Sequence, residues 1–376
     1  MLDVFKVADG FIRHIKQAYA DDIAIAAYYG SYAQGTATKR SDLDLFFIPA
    51  TDRGYQASLQ FIIDDVGFDF WPISWERAER MASFQEPTTT IISDCKLLYV
   101  RSDADLARFM KLREMTSAMQ AEGQEQLMIQ KAESELEKVY SHMYRMTRDS
   151  AAESLTVIRI EAHSVLTKAL QSLALLNGTF YTKGFGRNTE QICRLPLKPD
   201  RLLGLMSTIM KSDSNAEMMQ ACEELVSAAG QLILEQKARY NTTPAYETRM
   251  KGFYEELKAV LNKIIAACEA NDYDTAYFAA IHVQEEIAHF IAYAETGQWQ
   301  SSLVSTSIIQ QVYIRSGLPE LIACLNPDDL APLQRATEQL SYRLEQLLKT
   351  KGVAINRFSG IEQFESYLKN KEEHSM

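Results

Sequence analysis

A small-residue turn followed by two aspartates stands in the run YYGSYAQGTATKRSDLDLFFIP. The apolar stretch before it ends at Gly30 and Ser31, where a turn entering a helix would offer backbone N–H groups and a positive helix end to an anion. Asp42 and Asp44 are two residues apart, so on a strand both carboxylates project from one face. The pattern predicts a site for a metal-bound triphosphate, because Mg²⁺ prefers a few carboxylates plus waters and substrate phosphates.

A third carboxylate, Asp69, lies in VGFDFWPI with apolar neighbours on both sides. An ionised group at the end of a buried strand is costly without a partner. If this strand pairs beside the strand of Asp42 and Asp44, Asp69 completes a three-acid cluster. It would then share a metal ion and accept the proton of an attacking hydroxyl, which are the tasks of a two-metal in-line transfer.

These motifs have a family resemblance. The pattern Gly-Ser-x-Ala-x-Gly at residues 30–35, followed by Ser-Asp-Leu-Asp-Leu at residues 41–45, resembles the signature of the DNA polymerase beta-like nucleotidyltransferase superfamily. Within it, the chain is most similar to the bacterial branch that contains aminoglycoside and lincosamide nucleotidyltransferases. The resemblance covers residues 22–75 by motif and the rest only by architecture.

The resemblance implies a role for each motif residue. Gly30 and Ser31 would hold the triphosphate. Asp42 and Asp44 would ligate magnesium, with two ions bound together with the nucleotide, and Asp69 would be the third carboxylate. A helical domain would follow the nucleotide-binding domain and shape the acceptor pocket.

Two features depart from the family pattern. Residue 34 is Gln where many relatives carry a basic residue, so the phosphate contact is missing here or comes from Lys39 or Arg40. Some relatives take their general base from a glutamate of the helical domain, so a glutamate is the alternative to Asp69. The candidate glutamates are Glu133, Glu135 and Glu137, of which we name Glu137.

The segment LLNGTFYTKGFGRNTE at residues 175–190 combines three glycines with Lys183 and Arg187. Its cations could reach a nucleotide phosphate, or the loop could shape an acceptor cleft. Glycines and charges are also usual in any exposed turn, so an ordinary helix connection is the competing interpretation.

The elements that position these residues change character along the chain. Three stretches rich in β-branched and aromatic residues predict strands at 23–30, 43–49 and 66–73, and CKLLYV at 95–100 predicts a fourth strand or a buried edge. Apolar residues at helical spacing predict an amphipathic helix over 2–19. A helix-length stretch lies near 53–64, and Ser74 is a candidate N-cap for a helix through Ser83.

From Ser102 onward the chain is rich in Ala, Leu, Glu, Gln, Lys and Met, which predicts an almost entirely helical remainder. The fold class is therefore α+β, a small mixed-sheet nucleotidyltransferase domain at 1–101 followed by an all-α helical-bundle region. A loop near 241–245 divides this region into 102–240 and 246–376, because Pro244 cannot continue a helix. The predicted helices span 103–146, broken once, 151–176, 214–239, 246–270, 272–295 and 328–350.

Composition bounds the partners of this 376-residue chain. A net charge of -11 argues against a nucleic-acid partner and favours a cationic small molecule. The five scattered cysteines and the absence of a long apolar run predict a cytoplasmic protein without a membrane partner. A homo-oligomer is compatible with these features.

The predicted activity is Mg²⁺-dependent transfer of a nucleoside monophosphate, AMP from ATP by default, to a hydroxyl group. An aminoglycoside antibiotic is the leading acceptor, by analogy with the family branch. Nucleotidylation of a protein partner is the second enzyme interpretation. A non-catalytic module that senses a nucleotide or mediates assembly is the third, and the intact acid set argues against a vestigial site.

Overall fold

A computed structural model describes residues 2–38, 41–149 and 154–373 of the protein. The chain divides into two compact units, Met1–Lys237 and Ala238–Met376. The first unit contains a mixed β-sheet followed by helices, and the second is helical. The predicted α+β class is confirmed.

The first unit begins with a five-stranded sheet of order β3-β4-β2-β1-β5. Its elements up to the last strand are α1 Val4–Ala18, β1 Ile23–Tyr29, α2 Gly30–Ala33, β2 Asp44–Pro49, β3 Leu59–Ile63, β4 Val66–Pro72, α3 Trp75–Ala82, α4 Thr90–Ser93 and β5 Lys96–Val100.

Strand pairing brings the polar residues of the sheet to one level. β1 lies antiparallel to β2, with Tyr29 opposite Asp44. β2 runs parallel to β4 with Leu45 opposite Phe70, so the preceding residues, Asp44 and Asp69, share a level on neighbouring strands. The condition on which the three-acid hypothesis depended, that the two acid-bearing strands are neighbours, is therefore met.

Each face of the sheet is covered by helices. On one face, the apolar side of α1 packs against Leu45, Phe47 and Phe70. On the other face, α3, α4 and a following helix pack against Phe46 and Ile48. Because side chains alternate along β2, Asp44 lies on the same face as Phe46 and Ile48, at the end that the helices leave open.

The strand predictions at 23–30, 43–49, 66–73 and 95–100 are confirmed with small shifts of their ends. One shift matters, because β2 begins at Asp44 and Asp42 therefore precedes the strand. The helix expected near 53–64 is wrong. A short 3-10 segment, Asp52–Ala57, leads into β3, whose apolar residues pair with β4 across a tight turn at Asp64 and Asp65, both of which have positive φ.

The helical part of the first unit packs around one long helix. The helices are α5 Asp103–Met119, α6 Glu125–Glu137, α7 Val139–Asp149, α8 Leu155–Leu176, α9 Thr189–Arg194, α10 Leu202–Lys211 and α11 Asn215–Ala238. α6, α7 and α10 all contact α8. The stretch expected at 103–146 with one break has two breaks, since α6 and α7 are separate helices.

The second unit has its own apolar core. Its helices are α12 Tyr246–Arg249, α13 Phe253–Glu269, α14 Tyr273–Thr296, α15 Thr306–Arg315, α16 Ala331–Thr350 and α17 Ile361–Glu373. α13 packs against α14 and α16 through buried residues such as Leu261, Ile287 and Leu340. Within the described residues of both units, none of the helices has the length and apolar character that crossing a membrane would require.

Candidate active site

The turn after β1 is built around Gly30. Its φ of +72° lies in the left-handed region, which favours glycine. A Cβ at this position would lie 3.0 Å from Cγ of Asp44 and would clash with its carboxylate oxygen. Backbone hydrogen bonds from Gln34 N to Gly30 O (3.1 Å) and from Thr36 N to Ser31 O (2.8 Å) close the turn. Gly30 is therefore required both for the turn and for the close approach of Asp44.

The acid pair is electrostatically coupled. Asp44 is half-buried at the start of β2, whereas Asp42 is exposed. The pKa of Asp44 is raised to about 6, first by burial and then by the negative charges of Asp42 and Asp69. The ionised form of Asp44 is thus destabilised by three causes that a bound cation would offset.

Asp69, on β4, lies at the same level of the sheet as Asp44 and is exposed. Its Oδ1 accepts a hydrogen bond of 2.7 Å from Nε2 of Gln60, the residue opposite it on β3. In the described ranges, no group of three His, Cys, Asp or Glu side chains is arranged to hold a metal ion. The acids nonetheless suit a hard cation chemically, because half-buried Asp44 lies between two like charges and Mg²⁺ takes its remaining ligands from phosphates and water.

Tyr29, on β1, lies opposite Asp44, and the sequence did not indicate it as a residue of the site. Its hydroxyl oxygen accepts a 3.2 Å hydrogen bond from Nε1 of Trp71. Burial, followed by the charge of Asp44, raises the pKa of Tyr29 to about 12, so the phenol stays protonated at neutral pH. The only available sequence signal was its position at the end of β1, directly before Gly30.

Tyr29 and Asp44 line a cleft of about 600 Å³, a size typical of small-molecule sites. Gly30, Ser31 and Asp44 form part of one wall. The other residues that line it are Tyr29, Gln34, Thr36, Pro87, Thr88, Thr90, Gln171, Tyr181, Thr182, Lys183, Gly184, Gly186 and Arg187. Residues separated by more than a hundred positions along the chain therefore line one site.

The loop of residues 181–187, for which the sequence allows two interpretations, contributes to this cleft. Hydrogen bonds from neighbouring side chains hold its backbone. Lys183 N donates to Oδ1 of Asn188 (3.1 Å), and the Asn188 amide donates back to Lys183 O. Thr182 N donates to Oε1 of Gln191 (3.1 Å). Asn188 is 1% exposed, so a buried side chain holds the backbone of the loop.

Two hydrogen bonds join this loop to the Gly30 turn. The side-chain amide of Gln34 donates to the backbone carbonyl of Thr182. Nη1 of Arg187 donates to Thr36 O at 3.4 Å. The residue that departs from the family pattern, Gln34, thus contacts the loop that carries Lys183.

The charges that line the cleft favour an anion. Among the described lining residues, Asp44 is the single carboxylate, and Lys183 and Arg187 supply two positive charges. Lys39 and Arg40, the cations expected at the phosphate, lie outside the described residues. Their assignment stays a prediction.

The helical-domain glutamates differ in their surroundings. Glu133 is buried and its two carboxylate oxygens accept from Nζ of Lys237 at 3.1 and 2.8 Å. Glu135 forms an ion pair with Lys138. Glu137 is half-buried at the end of α6, and the pKa of Tyr140 is raised by burial and then by the charge of Glu137. Glu137 does not line the cleft, so its part in proton transfer, like that of Asp69, stays a prediction.

Comparison with known proteins supports this architecture. Residues 106–239 match the family model of the KNTase C-terminal domain, where KNTase is kanamycin nucleotidyltransferase. The resemblance to the nucleotidyltransferase superfamily is thereby confirmed. The matched segment includes Lys183 and Arg187. The match supports nucleotidyltransferase activity in general and leaves donor and acceptor open.

One solved structure to which this chain is similar is that of a nucleotidyltransferase-like protein from Exiguobacterium sibiricum 255-15. The two are 12% identical with a TM-score of 0.36, over 62% of this chain and 79% of that one. No curated protein matches the sequence.

Proposed function

We propose that this protein transfers a nucleoside monophosphate from a nucleoside triphosphate, ATP by default, to a hydroxyl group of a small cationic molecule, with release of pyrophosphate. The observation that carries the proposal is the cleft in which the Gly30 turn and Asp44 face Lys183 and Arg187. A turn of this kind together with two cations suits a polyanionic phosphate chain.

Different residues would bind the phosphates of the donor nucleotide, hold its metal ion and take the proton of the acceptor. Backbone N–H groups near Gly30 and Ser31, with Lys183 and Arg187, would bind the phosphates and orient the α-phosphorus. Asp42 and Asp44, with Asp69, would hold Mg²⁺, which when bound neutralises negative charge that develops on the phosphates. Asp69 or Glu137 would take the proton of the attacking hydroxyl.

The charges in and beside the cleft indicate the chemical class of the acceptor. The cleft carries two cations, whereas Asp42 and Asp69 are exposed beside it. A cationic acceptor would therefore approach along the exposed acids, with its hydroxyl directed toward the phosphorus, while the anionic donor lies in the cleft. An aminoglycoside-type antibiotic has this chemistry, and the KNTase C-terminal domain match at residues 106–239 favours the same class.

The test is pyrophosphate release with Mg²⁺, each of the four common nucleoside triphosphates, and a panel of aminoglycosides and lincosamides. We expect pyrophosphate release that depends on one acceptor, together with a mass gain of one nucleoside monophosphate on that acceptor. Asp44→Asn should abolish turnover. Asp65→Asn, in the exposed turn between β3 and β4, is the matched control and should leave turnover unchanged.

Absence of turnover with every small molecule would refute this acceptor class. Labelling of a protein by the triphosphate under the same conditions would then favour nucleotidylation of a protein partner. Pyrophosphate release that persists in Asp44→Asn would refute the assignment of the site itself.

A further inference from the structure

The cleft has a wall of neutral polar side chains that the transfer chemistry does not use. We infer that Gln171 and Thr88, on this wall, bind the nucleobase of the donor and that the amide of Gln171 selects adenine. The inference rests on the proposed function, since it names the base of the same nucleotide whose phosphates occupy the Gly30 turn.

Gln171 is the first observation. It lies in α8, where every residue from Ala169 to Leu176 is buried, and only 7% of Gln171 is exposed. Its neighbour Ser172 donates a hydrogen bond of 2.6 Å to Ala132 O. Across the described chain no residue hydrogen-bonds the Gln171 side chain, which instead lines the cleft. A buried amide that lacks a protein partner is unfavourable unless a ligand supplies one.

Thr88 is the second observation and comes from a different element. Its Oγ1 is buried and, among the residues that the structure describes, has no hydrogen-bond partner. The adjacent Thr89 shows the usual arrangement, because its Oγ1 donates to Met81 O at 2.8 Å. Thr88 and Gln171, one from the sheet domain and one from the helical domain, line the same cleft, and neither side chain has a hydrogen-bond partner among the described residues.

The chemistry of this wall suits a base better than the acceptor. Thr88, Thr90 and Gln171 are uncharged, whereas a polycationic acceptor would require carboxylates that this part of the cleft lacks among the described residues. A carboxamide matches adenine, because its N–H and C=O pair with N7 and the exocyclic amine. Guanine presents two acceptors on the same edge and cannot satisfy both groups of the amide.

Calorimetric titration at pH 7.5 tests the inference with non-hydrolysable analogues of ATP and GTP and with inorganic tripolyphosphate, each with Mg²⁺. The wild type should bind the ATP analogue more tightly than the GTP analogue and tripolyphosphate. Gln171→Leu should weaken the ATP analogue about tenfold or more. Thr88→Val should weaken it to a smaller extent, and tripolyphosphate affinity should be unchanged in both variants.

Thermal unfolding supplies the folding control. Gln171→Leu removes a buried unpartnered amide, so Tm of the free protein should stay equal or rise while nucleotide affinity falls. Gln220→Leu, an exposed glutamine of α11, should change neither quantity.

The outcomes separate this inference from the proposed function. Equal wild-type affinity for the ATP and GTP analogues, or an unchanged ATP-analogue affinity in Gln171→Leu, would overturn the base site while the phosphate site stands. An equal loss of tripolyphosphate binding in Gln171→Leu would also overturn it. Failure of the wild type to bind any of the three ligands would overturn both.

Discussion

The side-chain amide of Gln34 donates a hydrogen bond to the backbone carbonyl of Thr182, which lies 148 residues away in sequence. This bond joins the turn that follows β1 to the loop that carries Lys183 and Arg187. Because many relatives carry a cation at position 34, the resemblance to nucleotidyltransferases predicts that the phosphate contact is missing here or comes from Lys39 or Arg40. In this chain Gln34 contacts the loop that carries Lys183 and Arg187, and we propose that this loop supplies the positive charge.

Gln34→Leu should raise KM for ATP about 2- to 10-fold with a smaller effect on kcat, because one hydrogen bond of about 0.5–1.5 kcal/mol that holds the loop is lost. Steady-state kinetics measures the effect, and hydrogen exchange of residues 182–187 should increase. Gln220→Leu is the matched control on α11. An unchanged KM together with unchanged exchange would show that the loop does not depend on Gln34.

Lys183→Met and Arg187→Met should each weaken ATP binding about 10- to 100-fold, because a hydrogen bond to a charged group contributes about 1.5–3 kcal/mol. The loss should shrink as ionic strength rises, since exposed charges are screened. Affinity at several salt concentrations measures this. Lys211→Met, an exposed lysine at the end of α10, should behave like the wild type. Wild-type affinity in both loop variants would contradict the phosphate assignment.

Gly30→Ala and Gly35→Ala form a matched pair. Both glycines have positive φ, +72° and +69°, so alanine causes comparable backbone strain at each. A Cβ at Gly30 meets Asp44, whereas a Cβ at Gly35 meets no atom within 4 Å. Gly30→Ala should lower kcat/KM about 100-fold by displacing Asp44, because small misplacements of reacting groups have effects of that size.

Tm of the two glycine variants should fall by similar amounts, and only Gly30→Ala should lose most of its activity. Equal losses of activity in the two variants would mean that backbone strain, and not the contact with Asp44, is the cause.

Stability without metal should depend on Asp44. Its pKa in the folded state, about 6, lies above the ordinary value of 3.8, so the folded protein holds the proton more tightly than the unfolded chain. Stability should therefore decrease as pH rises from about 4 to 6 and then level off. In EDTA, Asp44→Asn should match the wild-type Tm near pH 4 and exceed it at pH 7.

Asp65→Asn is the control for this titration and should keep the wild-type dependence of Tm on pH. Adding Mg²⁺ at pH 7 should raise Tm of the wild type more than that of Asp44→Asn. A Tm difference between wild type and Asp44→Asn that is constant across pH would contradict the raised pKa.

Asp69→Asn and Glu137→Gln should separate the two candidate bases. Loss of the true base should lower kcat by about 10²- to 10⁴-fold and remove the acidic limb of the pH–rate profile. Glu125→Gln, at an exposed position at the start of α6, controls for charge changes on this helix. If both Asp69→Asn and Glu137→Gln retain the acidic limb, neither residue is the base.

Local patterns in the sequence determined most of the strands and, with them, the positions of the residues proposed to bind the donor nucleotide. Period-two alternation and clusters of aromatic and β-branched residues were sufficient to locate β1, β2, β4 and β5. The positions of Gly30, Ser31 and Asp44 follow from those strands. The same reasoning failed for β3, because a five-residue apolar run between two turns is compatible with either a strand or part of a helix. Pairing with β4 decides it, and pairing is a tertiary interaction.

The sequence alone thus determined which residues end and begin the strands, since backbone periodicity is a short-range property. The tertiary structure decided which other residues lie close to the ends of these strands. Three features join distant parts of the chain: the approach of Lys183 and Arg187 to the Gly30 turn, the hydrogen bond between Tyr29 and Trp71, and the placement of Thr88 and Gln171 in one cleft. Such contacts depend on how the helices pack on α8 and on the sheet, and no local pattern encodes that packing.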